Sequence, residues 1–318
     1  PLLLISLPAQ AQFGWRWEQP VAHGHDLHAL CGFNGKLLAA GQDGALVIST
    51  DGGLSFQAAF GPDRADLRDA AWLDPWRVLA VGSDGSVWRS EDSGQHFRPQ
   101  RSGLAGDLQG LACVHPLICW AVGDAGRIIR TWDGGSSWLL QDAGAYQDLR
   151  AVDALDASLV VAVGEGGAVL RSDDGGRTWQ RLSTGVYYTL LDVDLFEGGR
   201  AVAVGHNGTI LMSTGGADYQ RIAEVGTVRN LLGVSFLDAE HGCAVGEGGT
   251  ILISGDGGTT WSLVDLELDA ALNAVWWADA QHLYAVGDAG LLLGSSGAGL
   301  GWQVLSGPPA GAVYGLAF

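Results

Sequence analysis

The chain has 318 residues, of which 50 are glycine, 47% hydrophobic and 16% charged. That supplies apolar side chains for a sizeable core and argues against disorder; the glycines lack collagen's period of three, and no run of about 18 apolar residues marks a membrane-spanning helix. The formal net charge is −18, with Lys36 the one lysine, the wrong sign for wrapping nucleic acid.

In chain order, the sequence opens at Pro1 with a short apolar run, Leu2 to Leu7, followed by Ala9-Gln10-Ala11. This reads as the remnant of a secretory signal peptide over residues 1–11; the alternative is an irregular apolar strand. The first reading makes residues 12–318 a single exported domain, periplasmic or secreted.

Repetition dominates the rest. Ala39-Ala40-Gly41 returns as Ala80-Val81-Gly82, Ala121-Val122-Gly123, Ala162-Val163-Gly164, Ala203-Val204-Gly205, Ala244-Val245-Gly246 and Ala285-Val286-Gly287, each anchor glycine 41 residues after the last. Each unit reads as four short strands. The first opens on Leu, as at Leu149 and Leu231, and the second ends in the anchor. A tight turn closed by Gly follows, as in Asp43-Gly44, Asp84-Gly85 and Asn207-Gly208, where positive φ suits the twist of a hairpin. The third strand is aliphatic, as in Thr250 to Ile253, and the fourth begins at an aromatic ring: Phe56, Phe97, Trp138, Trp179, Trp261 or Trp302. Before that ring lies Ser/Thr-x-Asp-x-Gly-x-Ser/Thr-Trp/Phe, with Asp51, Asp92, Asp133, Asp174 and Asp256 at its centre. Such a carboxylate accepts hydrogen bonds from turn amides; Gly215 and Gly297 replace it in two units. A sheet of about 40 residues cannot bury both faces alone, and radial repetition solves this. The expected fold is an all-β propeller of seven complete four-stranded, 41-residue blades. Trp15 to Glu18 and Val313 to Phe318 fall in the register of a fourth and a first strand, which leaves open an eighth, partial blade from the two chain ends.

Several surfaces invite a functional reading. Asp43, Asp84, Asp124, Glu165, Glu247 and Asp288 lie in the turns after the anchors, as an acidic ring for a basic loop or cation or simply as good turn residues. Arg89, Arg130 and Arg171 share one repeat position in consecutive units, either as a dock for an acidic partner segment or as partners of nearby Asp-box carboxylates. Asp192 and Asp194 share a strand face, with Asp153 one unit before Asp194; such carboxylates suit glycoside hydrolysis or a wet central channel. Cys113 and Cys119 bracket a hairpin and are candidates for a disulfide or for two buried thiols, whereas Cys31 and Cys243 are expected unbridged. No CxxC pair or histidine spacing marks a metal site.

The pattern Leu-x-x-Val-x-Phe, Ala-Val-Gly-x-x-Gly-x-Ile-Leu and Asp-Gly-Gly-x-Thr-Trp, clearest from Leu231 to Phe236, Gly246 to Leu252 and Asp256 to Trp261, resembles the photosystem II stability and assembly factor family and its bacterial relatives with BNR (Asp-box) repeats. The resemblance covers residues 13 to 318 and implies a propeller that binds a protein client and assists membrane-complex assembly, with no reaction and no cofactor. Photosynthetic members carry an arginine-rich face, so this acidic chain looks more like a relative from a non-photosynthetic bacterium. The expectation is a non-enzymatic, exported, monomeric scaffold or assembly factor with a membrane-associated client. Its rival is a secreted Asp-box glycoside hydrolase or glycan-binding module. A sialidase-like site would draw on Arg68, Arg150, Tyr187 and Tyr188, but no third arginine shares the repeat position of the first two, and the constant spacing leaves little room for catalytic insertions.

Overall fold

The computed structural model describes residues 25–59, 65–223, 225–264, 266 and 268–306. The candidate signal-peptide remnant at 1–11 and both segments of the candidate eighth blade lie outside the described residues. Within them the chain forms seven four-stranded antiparallel meanders, over residues 27–58, 67–101, 108–141, 149–181, 190–221, 231–264 and 272–306. The first strand of each blade is innermost. These strands pack side by side around the hub, and Leu27–Phe33 of blade one meets both Leu67–Trp72 of blade two and Leu272–Trp277 of blade seven. The ring therefore closes with seven blades, and Asn273 Nδ2 of blade seven donates to Leu27 O of blade one at 3.0 Å across the joint.

Each sheet is covered on both faces, so its middle strands read as continuous apolar runs instead of alternating ones. Every residue of Val160–Gly164 is buried. The core is a set of wedges between blades: Val202, Val204 and Ile210 of blade five pack with Val234, Ala244, Leu252 and Trp261 of blade six, each fully buried aliphatic contributing about 1.5–3 kcal/mol. Blade five also has its aromatic cover, Tyr219, 8% exposed at the start of the fourth strand.

The anchor glycines have a steric cause. Their backbone is extended, and a β-carbon at Gly123 would lie 1.9 Å from Asp107 O, the carbonyl that precedes the first strand. The same carbonyl accepts the N–H of Asp124 at 3.1 Å. At all seven anchors a β-carbon would lie 1.9–2.2 Å from the corresponding carbonyl, so the 41-residue period records one close crossing made seven times. In the turn that follows, the central residue and the closing Gly both take positive φ, as Ala125 (56°) and Gly126 (70°) do.

Cys113 and Cys119 pair across the first two strands of blade three and are bridged. Cys31 and Cys243 are free.

Candidate functional site

The ring offers two faces and a channel. The upper face carries the turns between second and third strands and the connections from blade to blade. The lower face carries the Asp boxes and the hairpins between first and second strands.

At the upper mouth an Asp or Asn just before the first strand reaches back to the turn of the preceding blade. Asp43 N donates to Asp66 Oδ1 and Asp84 N to Asp107 Oδ1, both at 3.0 Å. Ala125 N donates to Asp148 and Asn207 N to Asn230, both at 2.9 Å, and Ala289 N donates to Asp26 at 2.8 Å across the closing joint. The proposed acidic ring divides here: Asp43 and Asp84 occupy the central, positive-φ position of their turns, whereas Asp124, Glu165, Glu247 and Asp288 occupy the preceding one. Asp43, Asp84 and Glu247 are exposed, whereas Asp124 Oδ2 accepts Asp107 N–H and Asp288 Oδ1 accepts Asn273 Nδ2–H. Just outside these turns stands a row of which the sequence singles out only Tyr187, as a candidate for a sialidase-like site. Tyr146, Tyr187 and Val228 share one repeat position in the connections to blades four, five and six, and are 87%, 89% and 78% exposed. Below Val228 an open groove of about 820 Å³ runs between blades five and six, lined in part by Ile222, Val225 and Leu263.

At the lower face the five intact Asp boxes repeat one geometry. Asp133 Oδ1 accepts Ser137 N–H at 2.9 Å and the Thr131 hydroxyl at 2.8 Å, while Oδ2 accepts the Ser137 hydroxyl at 2.6 Å. In blade two His96 replaces the second hydroxyl and meets Asp92 Oδ2 through Nδ1 at 2.7 Å. The hydrogen bonds from Thr178 hold Asp174 down at about 2. The Asp box is thus a folding device with no carboxylate left over for chemistry.

The three arginines of the candidate stripe each reach the Asp box of the next blade. Arg89 Nη1 donates to Ser136 Oγ at 2.9 Å and pairs with Glu91 at 3.0 Å. Arg130, 6% exposed, donates to Gly175 O and lies between the rings of Trp120 and Trp132, at 4.8 and 4.5 Å from their centroids. Arg171 pairs with Asp173 at 2.8 Å and donates to Gly216 O at 3.1 Å. Their guanidinium groups are engaged in joints between blades. A second cationic position does similar work and was not singled out in the sequence: Lys36 reaches Pro75 O and Ser93 Oγ, and Arg200 reaches Ala239 O and Gly257 O. Both lie five residues before their anchor glycine, a coincidence of register visible in the sequence.

The channel holds four carboxyls. Asp69 Oδ2 accepts Leu111 N–H and Asp153 Oδ2 accepts Leu195 N–H, both at 2.7 Å, and Asp192 Oδ2 accepts Val234 N–H at 2.8 Å. Asp194 Oδ2 accepts Phe236 N–H. Each bond runs from one innermost strand to the next, satisfying edge amides that no further strand pairs. Asp153 and Asp194 lie close enough to influence each other's protonation. Channel solvent reaches part of each side chain, yet protein encloses them enough that desolvation pushes Asp69 up to about 7 and Asp192 up to about 8; desolvation and mutual repulsion also raise Asp194, and desolvation raises Asp153. Asp69 was missed in the sequence although it shares the repeat position of Asp192. All four channel carboxyls are engaged as acceptors for amides of the next innermost strand. The arginines of a sialidase-like site do not converge: Arg68 lies 3.8 Å from Asp66, and Arg150 pairs with Glu165 at 2.6 Å and Asp148 at 3.5 Å. Among the described residues no group of three or more His, Cys, Asp or Glu side chains is arranged to hold a metal ion.

These features define a seven-bladed Asp-box propeller with a carboxyl-lined hub and a partly apolar upper mouth. Known proteins share that fold. A family profile described as "Photosynthesis system II assembly factor YCF48" matches residues 213–309, from the last residue of blade five's third strand through blade seven. Among solved structures, "YCF48 bound to D1 peptide" is 22% identical over 76% of this chain and 80% of that one, with a TM-score of 0.63. YCF48 from Cyanidioschyzon merolae is 16% identical over 87% and 97%, with a TM-score of 0.72. A Niastella koreensis GH74 enzyme is 13% identical over 88% of this chain and 54% of its own, with a TM-score of 0.70. At these identities the structural likeness concerns the fold. No curated protein matches. The chain resembles the photosystem II assembly factor family in sequence over its last two blades and in fold around the ring.

Proposed function

We propose that this propeller is a non-enzymatic, exported scaffold or assembly factor that holds a segment of a protein client on its upper mouth, the client being part of a membrane or envelope complex. The observation that carries the reading is the row Tyr146, Tyr187 and Val228. Three large side chains at one repeat position in successive blades stand exposed, and the third, Val228, lines a groove, which is how interaction surfaces differ from scattered apolar residues. The likeness to a YCF48 solved with a D1 peptide supports a peptide-sized client segment, and the Cys113–Cys119 bridge supports an oxidising compartment.

The test is site-specific photocrosslinking in the native host, with the photoreactive residue at Tyr187 on the upper face or at Trp76 on the lower. The reading expects one dominant adduct from position 187 that disappears with Tyr146→Ala plus Val228→Ser. Adducts that form only from position 76 would move the client to the other face. The rival reading, a glycoside hydrolase, draws on the channel carboxyls and the GH74 likeness. Turnover of any member of a glycan panel that is lost on Asp192→Asn would replace the scaffold reading with that one.

A further inference from the structure

The lower face carries large apolar side chains that the fold does not bury. Leu300 of blade seven, Leu54 of blade one, Trp76 of blade two, Leu117 and Trp132 of blade three and Leu155 of blade four all stand exposed on its turns. Two repeat positions account for most of them. Leu54 and Leu300 share one in the Asp box, and Trp76 and Leu117 share one in the hairpin between first and second strands. At these same positions blade five places Asp218 and blade six Glu240, both exposed. The apolar tips therefore run in one arc over neighbouring blades, from seven through one to four, and stop where carboxylates take their place.

We propose that this arc rests on the surface of a lipid bilayer, with blades five and six turned away from it. The inference is independent of what the upper mouth holds.

The form of the surface selects the occupant. Each of these side chains stands on a separate turn, and together they line no common groove. A folded protein would have to offer each protrusion a matching pit, because protein interfaces pack as tightly as protein interiors. A fluid bilayer accepts scattered insertions and binds in proportion to the apolar area it takes up. Tryptophan suits that boundary, since its ring is apolar and its N–H is polar. Carboxylates inside the arc do not oppose the contact as free charges: Glu91 and Asp173 are paired with Arg89 and Arg171, and Asp156 accepts the amides of Ser158 and Leu159. With a formal net charge of −18, the chain is repelled by anionic headgroups, so the attraction is apolar and favours a zwitterionic surface.

The experiment is flotation of the intact chain with vesicles of phosphatidylcholine, and with vesicles of phosphatidylcholine mixed with phosphatidylglycerol. The chain is expected to float with the first and less with the second. Leu54→Ser plus Trp76→Ser plus Leu300→Ser is expected to lower the partition coefficient at least about tenfold. Leu139→Ser plus Leu140→Ser, which removes exposed leucines from the outer strand of blade three, is expected to leave it unchanged. No flotation with either vesicle would overturn the proposal, as would stronger flotation with the anionic one or a triple variant that floats like the wild type. Should the triple variant fail to fold, wild-type chain on vesicles of photoactivatable phosphatidylcholine decides. Lipid adducts are expected on the lower turns of blades seven and one to four, and adducts confined to the upper face or to blades five and six would refute the idea.

Discussion

At Gly205 a β-carbon would lie 2.1 Å from Thr189 O, so Gly205→Ala must pull the first strand of blade five away from the second. A loss of about 3 kcal/mol or more is expected, read as a lower urea midpoint. Gly185 provides the contrast. Its φ is +69° but nothing lies within 4 Å of its β-carbon position, so Gly185→Ala meets only the left-handed backbone penalty of about 1–2 kcal/mol. Equal effects at the two sites would mean that conformational freedom, and not the close crossing, conserves the anchor period within this chain. The Asp boxes act at the same scale. Asp133→Ala removes the acceptor of three hydrogen bonds in a solvent-exposed turn, and a loss of about 1–2 kcal/mol is expected in the same assay.

Between elements, the joints are made by cations, and Arg130 is the most enclosed. Arg130→Met keeps the apolar stem beside Trp120 and Trp132 but surrenders the bond to Gly175 O. It is expected to cost about 2 kcal/mol, while Arg89→Met, whose partner Glu91 is 70% exposed, is expected to cost under about 1 kcal/mol. A denaturation series comparing the two checks the order; a larger loss at Arg89 would contradict the joint. This scale also shows where the sequence stops informing. Turns and Asp boxes are local hydrogen-bond patterns whose residues lie within a few positions of one another, and the anchor glycines, though held by a steric crossing with a carbonyl about 16 residues earlier, recur at one fixed period, so all of them repeat visibly. Arg89, Arg130 and Arg171 are legible as a repeat, but their acceptors Ser136, Gly175 and Gly216 are 45 or more residues away, and an exposed stripe and a buried joint look alike until the blades are placed. Asp26, Asp66, Asp107 and Asp148 escaped notice for the same reason: their partners are amides of the preceding blade. Tyr187 stands out in the sequence only beside Tyr188, for a sialidase-like site; its row with Tyr146 and Val228 is hidden because the members differ in type, and only position within the repeat unites them.

Over the whole ring, two populations of carboxyl titrate in opposite senses, and their signs fix the pH dependence of stability. Asp174, at about 2 in the folded state through its bonds from Thr178, lies below its unfolded value; its contribution is complete above about pH 4 and is lost as pH falls toward 2. Hydrogen bonds outweigh desolvation to lower Asp51, Asp92, Asp133 and Asp256 in the same sense. Asp69 and Asp192, pushed up by desolvation to about 7 and about 8, lie above their unfolded values. The folded ring then binds more protons than the unfolded chain between about pH 4 and pH 8, and stability falls as pH rises through that window. His28, lowered by burial, works the other way below about pH 6.5, but as one group against the four raised channel carboxyls. The urea midpoint is therefore expected to peak at about pH 4 and to decline on both sides. Asp69→Asn plus Asp192→Asn should flatten the alkaline side and leave the acid side in place, because the Asp boxes at the lower face are untouched. A wild-type maximum at about pH 8 would mean that the channel carboxyls are ionised in the folded ring, and it would remove the physical basis for a proton in the hub.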